Sequence, residues 1–123
     1  MNHGSQFKIT FSSADATTAA ALTISDANSV ARTLASNERF IIDHIVLNRA
    51  AASTLVRIFD DLNGDGLVGA TELMLSATSP TGTPLFASFD QEGLPGGLGR
   101  MPKVIASAIG LVEVTGTGHI VTS

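Results

Sequence analysis

The chain has 123 residues, a formal net charge of −4 and no cysteine. That length predicts one domain over 1–123 with a single sizeable core, and the missing cysteines exclude a disulfide scaffold, thiol catalysis and thiolate metal sites. The acidic balance and scattered basic residues argue against nucleic acid, which needs a concentrated positive face. No apolar stretch approaches the roughly 20 residues that span a bilayer, and the start Met1-Asn-His-Gly-Ser5 gives no expectation of a basic-then-apolar signal peptide. Only 15% of residues are charged, against about 25% in an average soluble domain. Burial of some of the surface in a homo-oligomer or larger assembly is therefore expected.

In chain order, Phe7, Ile9 and Phe11 alternate with Lys8, Thr10 and Ser12, which predicts a first strand. Ala21–Ser25 and Ser29–Ala35 follow as strands around a turn at Asp26-Ala-Asn28. Ala14–Leu22 and Ala27–Ala35 are alanine-rich enough that one short helix could stand there instead. Arg39–Asn48 is the strongest β run and is apolar on both faces over much of its length, so it predicts a central, doubly covered strand. Thr54–Asp60 and Leu73–Ala77 predict two more strands, with Ser79–Pro84 a loop and Leu85–Phe89 a further strand. Residues 92–102, rich in glycine, predict the longest irregular stretch; Lys103–Ile109, Leu111–Thr115 and His119–Thr122 close the chain as strands. About eight or nine short strands with Gly/Pro/Asn/Asp turns predict an all-β fold, an antiparallel β-sandwich or jelly roll.

Between Thr54–Asp60 and Leu73–Ala77 lies Asp61-Leu-Asn-Gly-Asp-Gly-Leu-Val-Gly-Ala-Thr-Glu72. Asp61, Asn63 and Asp65 occupy positions 1, 3 and 5 of a twelve-residue loop, spaced to offer side-chain oxygens to a hard cation such as Ca²⁺. Gly66 permits the sharp reversal, Leu67 would ligate through its carbonyl, and Glu72 is long enough to reach back with both oxygens. Gly69 leaves one vertex to water, and Val68 would point inward. Asn-Gly and Asp-Gly are also ordinary turn dipeptides, but an empty turn does not need Asp61, Asn63 and Glu72 where they stand. From Ile58 to Gly99 there is no Lys or Arg, yet six carboxylates fall there, and a divalent cation is the simplest remedy for their repulsion.

These twelve residues resemble the EF-hand and dockerin-type calcium loop. The resemblance implies bound Ca²⁺ with Asp61, Asn63, Asp65, Leu67 and Glu72 as ligands. The flanks read as strands rather than the paired helices of that family, which removes the lever that opens a groove in calcium sensors. A structural or assembly ion is expected, not a signalling switch.

Other motifs carry less. His3, His44 and His119 show no spacing that gathers them on a metal, and His44 reads as a hydrogen-bonded or exposed strand residue. Asp43 would face away from His44 on a regular strand. Gly93–Arg100 lacks the P-loop spacing, and Arg100 stands as an ion-pair or interface residue. No nucleophile elbow, triad or paired-carboxylate motif points to an enzyme.

The runs Glu38–Leu47, Phe59–Gly66 and Gly99–Ala108 give the chain a layout similar to the small β-rich decoration or accessory proteins of tailed-phage virions. That resemblance implies a non-enzymatic structural protein on a virion surface, partnered by its own copies and by capsid proteins. The alternative expectation is an extracellular calcium-dependent carbohydrate-binding or adhesion module. The absence of Trp and Tyr, on which sugar rings stack, weighs against it.

Overall fold

A computed structural model of the chain describes residues 6–13, 17–49, 55–69, 71–78, 85–89, 93–107 and 111–122. Among them are eleven strands and no helix: β1 (Gln6–Ser13), β2 (Ala20–Ala21), β3 (Thr23–Ser25), β4 (Ala31–Arg32), β5 (Glu38–Arg49), β6 (Leu55–Phe59), β7 (Leu73–Thr78), β8 (Leu85–Ser88), β9 (Leu94–Leu98), β10 (Lys103–Ala106) and β11 (Val112–Thr122). One sheet runs β4-β3-β1-β11-β5-β8, with β9 also paired to β5, and the second runs β2-β10-β6-β7. Every pairing is antiparallel. The fold is all-β and sandwich-like, as the strand pattern predicts.

Period-two alternation fills the space between the sheets. Ile9, Ile24, Phe40, Ile42, Ile45, Leu47, Val112 and Val114 come from the larger sheet, and Val56, Ile58, Val104 and Ala106 from the smaller. Phe7 and Phe11 pack against this cluster and Phe59 is fully buried. Burial of a side chain of this size stabilises the fold by about 1.5–3 kcal/mol, so the core outweighs any single polar contact.

The long strand β5 departs from strict alternation. Its register with β11 slips so that Thr117 faces His44 while Gly118 faces Ile42, leaving Asp43 as an extra bulged residue. The slip reverses the parity, which is why Ile42 and Ile45, three apart, both point into the core. A Cβ on Gly118 would strike the Ile41 carbonyl and the Phe40 ring, so the close approach at the bulge requires glycine. The bulge also turns Asp43 onto His119, with Oδ2 3.0 Å from Nδ1. His44 is exposed and bonds Ser88 Oγ at 3.1 Å, in line with its sequence reading.

Several boundaries differ from expectation. Residues 92–102 are not one irregular stretch, because Leu94–Leu98 pairs with β5 as β9. Leu111–Thr115 and His119–Thr122 join into the single strand β11, which passes through Gly116 and Gly118 on the strength of its ladder to β5. Ser29–Ala35 shrinks to the two residues of β4, and the alanine-rich segments hold no helix in 17–22 or 27–35. β5 is an interior strand but not the central one, standing beside the edge strands β8 and β9, and double cover reaches only Ile41, while His44 and Asn48 are open to solvent. The expected loop at 79–84 and His3 lie outside the described residues.

Candidate metal centre

The Asp61–Glu72 segment is the connection between β6 and β7, neighbours in the smaller sheet. Its base is closed by the ladder: Phe59 pairs with Leu73, and Asp60 N–H donates to the Glu72 carbonyl at 2.9 Å. Positions 1 and 12 of the loop are thereby brought side by side from opposite strands.

Inside the loop the carboxylates organise the backbone. Asp61 accepts Asp65 N–H on Oδ1 at 3.2 Å and Gly66 N–H on Oδ2 at 3.0 Å. Asn63 Oδ1 accepts Asp65 N–H at 3.3 Å, and Asp65 Oδ1 accepts Leu67 N–H at 2.9 Å. Glu72 reaches back across the loop, taking Leu62 N–H on Oε2 at 2.8 Å and Gly69 N–H on Oε1 at 2.6 Å. Gly66 has φ 73°, a left-handed conformation that suits its role at the reversal.

The result is a convergence of oxygens. One ligand atom from each of Asp61, Asp65 and Glu72 lies within 4.8 Å of the others, the only such trio among the described residues. Asp61 and Glu72 are buried at 5% exposure and Asp65 is open to solvent. Asn63 sits beside them through its contact with Asp65, while the Leu67 side chain points outward at 65% exposure. The donor set is all oxygen and doubly anionic or more, which fits a hard cation and not a soft one. The N–H contacts on Asp61 Oδ1, Asp65 Oδ1 and both Glu72 oxygens take one lone pair each and leave another, so they orient these ligands without using them up; Asp61 Oδ2 accepts both Gly66 N–H and the Lys103 ammonium. The trio could hold a metal ion.

One expectation needs correction. The acidic segment is not left without protein cations, because β10 pairs with β6 on the side opposite β7, placing Lys103 on β10 and Arg100 just ahead of it beside the carboxylates. Arg100 grips Asp60 with two parallel bonds, Nε to Oδ1 at 2.8 Å and Nη2 to Oδ2 at 3.0 Å. Lys103, in register with Phe59, lies diagonally from Asp61 and places Nζ 2.7 Å from its Oδ2. The hydrogen bond from Lys103 holds the Asp61 carboxyl below its ordinary range, with the Gly66 and Asp65 N–H groups adding to it against the opposing effect of burial. Arg100 is pushed up by its bond to Asp60, and the charge of Glu72 contributes. Arg100 is thus an ion-pair residue, one of the two roles open to it in the sequence. Lys103 escaped sequence reasoning because its link to Asp61 is a pairing across 42 positions.

Beside the loop a polar cleft of about 520 Å³ is bounded by Arg39, Asp60, Glu72, Gly97 and Arg100. Leu62, Leu67 and Leu73, at 53%, 65% and 48% exposure, surround the loop with apolar surface. No helix among the described residues is long and apolar enough to cross a membrane. No family model, curated protein or solved structure matches this chain, so the reading of the site rests on its own geometry.

Proposed function

We propose that the protein is a non-enzymatic, calcium-stabilised structural component that forms or decorates an oligomeric assembly, as virion-decoration proteins do. The observation that carries this reading is the convergence of Asp61, Asp65 and Glu72 at the mouth of a β-hairpin whose base is closed by backbone bonds. Ca²⁺ would take oxygens from these three, the Asn63 amide and the Leu67 carbonyl, with water completing six to eight ligands at roughly 2.3–2.6 Å. Its chemistry there is electrostatic: it would neutralise the trio and tie β6 to β7.

The assembly part is supported by the low charge of the chain and by the exposed leucines around the loop, together with Phe86 at 72% exposure on β8. Apolar surface concentrated beside an ion site favours burial against a second copy or a capsid protein. A virion surface or other extracellular setting supplies the free calcium such a loop needs. Melting curves in calcium and in EGTA, run beside size-exclusion light scattering, test both parts. A calcium-dependent rise in Tm with a defined oligomer is expected; no change in either measurement removes the reading.

The cleft at Arg39, Asp60, Glu72 and Arg100 favours a second reading, a calcium-dependent carbohydrate-binding or adhesion module. The Asp60–Arg100 pair already satisfies two of its charged groups, and the chain has no Trp or Tyr to stack a sugar ring. Saccharide-dependent chemical shifts confined to the cleft would support this second reading over the first.

A further inference from the structure

The ion pairs of the described residues are unevenly shared around the loop. Asp60 takes both arms of Arg100, whereas Asp61, Asp65 and Glu72 have one direct ion pair between them, the Lys103 ammonium on Asp61 Oδ2, with Arg100 acting on Glu72 only through its charge. The Asp61 side chain is only 2% exposed with the ammonium in place, so Lys103 covers that carboxylate as well as pairing with it. Lys103 is itself 31% exposed, with its backbone fixed by pairing to Phe59 and Ala21. A flexible four-carbon stem on a fixed strand lets the ammonium leave for solvent without moving β10.

We propose that Lys103 is the resident counter-cation of the loop: its ammonium closes the ion-free loop on Asp61 and, by competing for that carboxylate, lowers the affinity for a divalent ion. The inference rests on the calcium reading above and assigns a new role within that site. Two cations on one buried carboxylate repel, so ion binding either expels the ammonium from Oδ2 or proceeds against its charge. Both routes weaken binding. The same contact gives the loop a folded ion-free state, with Asp61 compensated when calcium is scarce. Arg100 cannot exchange into the role while Asp60 holds it in two bonds.

Lys103→Met keeps the stem and removes the charge, while Lys103→Arg keeps the charge. The full chain and both variants are titrated with CaCl₂ by calorimetry and melted in EGTA. Lys103→Met is expected to bind calcium about tenfold more tightly and to melt at a lower temperature than wild type in EGTA; Lys103→Arg stays near wild type in both. Calcium binding by Lys103→Met where wild type shows none would support the proposal still more strongly. Equal or weaker calcium affinity in Lys103→Met, with wild type binding, overturns the competition and leaves the calcium reading intact. An unchanged melting temperature in EGTA overturns the closing role. Absence of binding in wild type and in Lys103→Met overturns the calcium reading and this proposal together.

Discussion

Two irregular segments of this protein are held by carboxylates, and they do opposite things with them. In 26–38, Asp26 Oδ1 accepts the N–H groups of Asn28 and Val30, while Glu38 accepts Ala35 N–H and both arms of Arg32. In 61–72, Asp61 and Glu72 accept backbone N–H groups in the same way. The difference lies in where the charges end. Glu38 has its own guanidinium and Asp26 stands at a separate turn, so neither is part of a trio. Asp61, Asp65 and Glu72 converge on one point and share one ammonium. A carboxylate that caps a turn is structural wherever it occurs; several capping carboxylates aimed at one point leave an excess of negative charge that only a further cation offsets.

The contrast is broken most strongly at Asp65. This exposed residue holds little of the ion-free loop, so Asp65→Ala is expected to melt near wild type in EGTA. In calcium it should lose the stabilisation that ion binding adds, about 2.7 kcal/mol at a hundredfold excess over Kd. Calorimetric titration and paired melts check this, and a calcium response equal to wild type would end the metal assignment.

Next in size is the backbone of the same loop. Gly66 has φ 73°, and a side chain in that conformation costs roughly 1–2 kcal/mol. Gly66→Ala should therefore lower urea stability by that amount with and without calcium. A loss seen only in calcium would mean that the reversal is formed by the ion and not by the chain.

The 26–38 segment should answer to pH. Hydrogen bonds from Arg32, then the Ala35 N–H, bring the Glu38 carboxyl from an ordinary 4.5 to about 2. A depressed folded value means the contribution is complete above about 4.5 and is lost as pH falls toward 2. Glu38→Gln should flatten this part of the acid limb in melts between pH 5 and pH 2. The remaining slope then belongs to other depressed carboxyls, Asp61 among them. An acid limb identical to wild type would show that the Arg32–Glu38 contact is not maintained in solution.

The smallest effect sharpens the comparison of the two backbones. Where the metal loop uses glycine at positive φ, the 26–38 turn places Ser29 at φ 63°. Ser29→Gly removes the steric cost but enlarges the freedom of the unfolded chain, leaving a net gain of about 0.5 kcal/mol. Chemical denaturation with an unchanged m-value is the check; a loss of stability would mean the serine hydroxyl holds the turn.

Legibility differed along the chain for physical reasons. The strand β1 was readable because one face packs on the core and the other meets solvent, which writes a period of two into Phe7–Ser12; β6 and β10, half-buried on their outer faces, were readable from short apolar runs bounded by polar or turn residues. β9 was not, because Leu-Pro-Gly-Gly-Leu has no strand propensity of its own and is extended by pairing with β5. Gly116 and Gly118 likewise looked like a break in β11, yet they are what allows β5 to bulge beside it. The acidic trio was visible because all its members lie within twelve residues. Their cation partners were hidden by a pairing between β6 and β10 that no local pattern encodes.

By itself, then, the amino-acid order determined the alternating strands, the all-β class and the oxygen set of the Asp61–Glu72 loop, since each depends on residues near one another in the chain. Only the tertiary structure decided that the loop closes a hairpin and that Asp43 is bulged onto His119. It also decided that Arg100 and Lys103 stand among the carboxylates. Those features depend on which strands lie side by side, and that choice is made by burying Phe40, Ile58, Val104 and their neighbours in one shared core, not by any one segment.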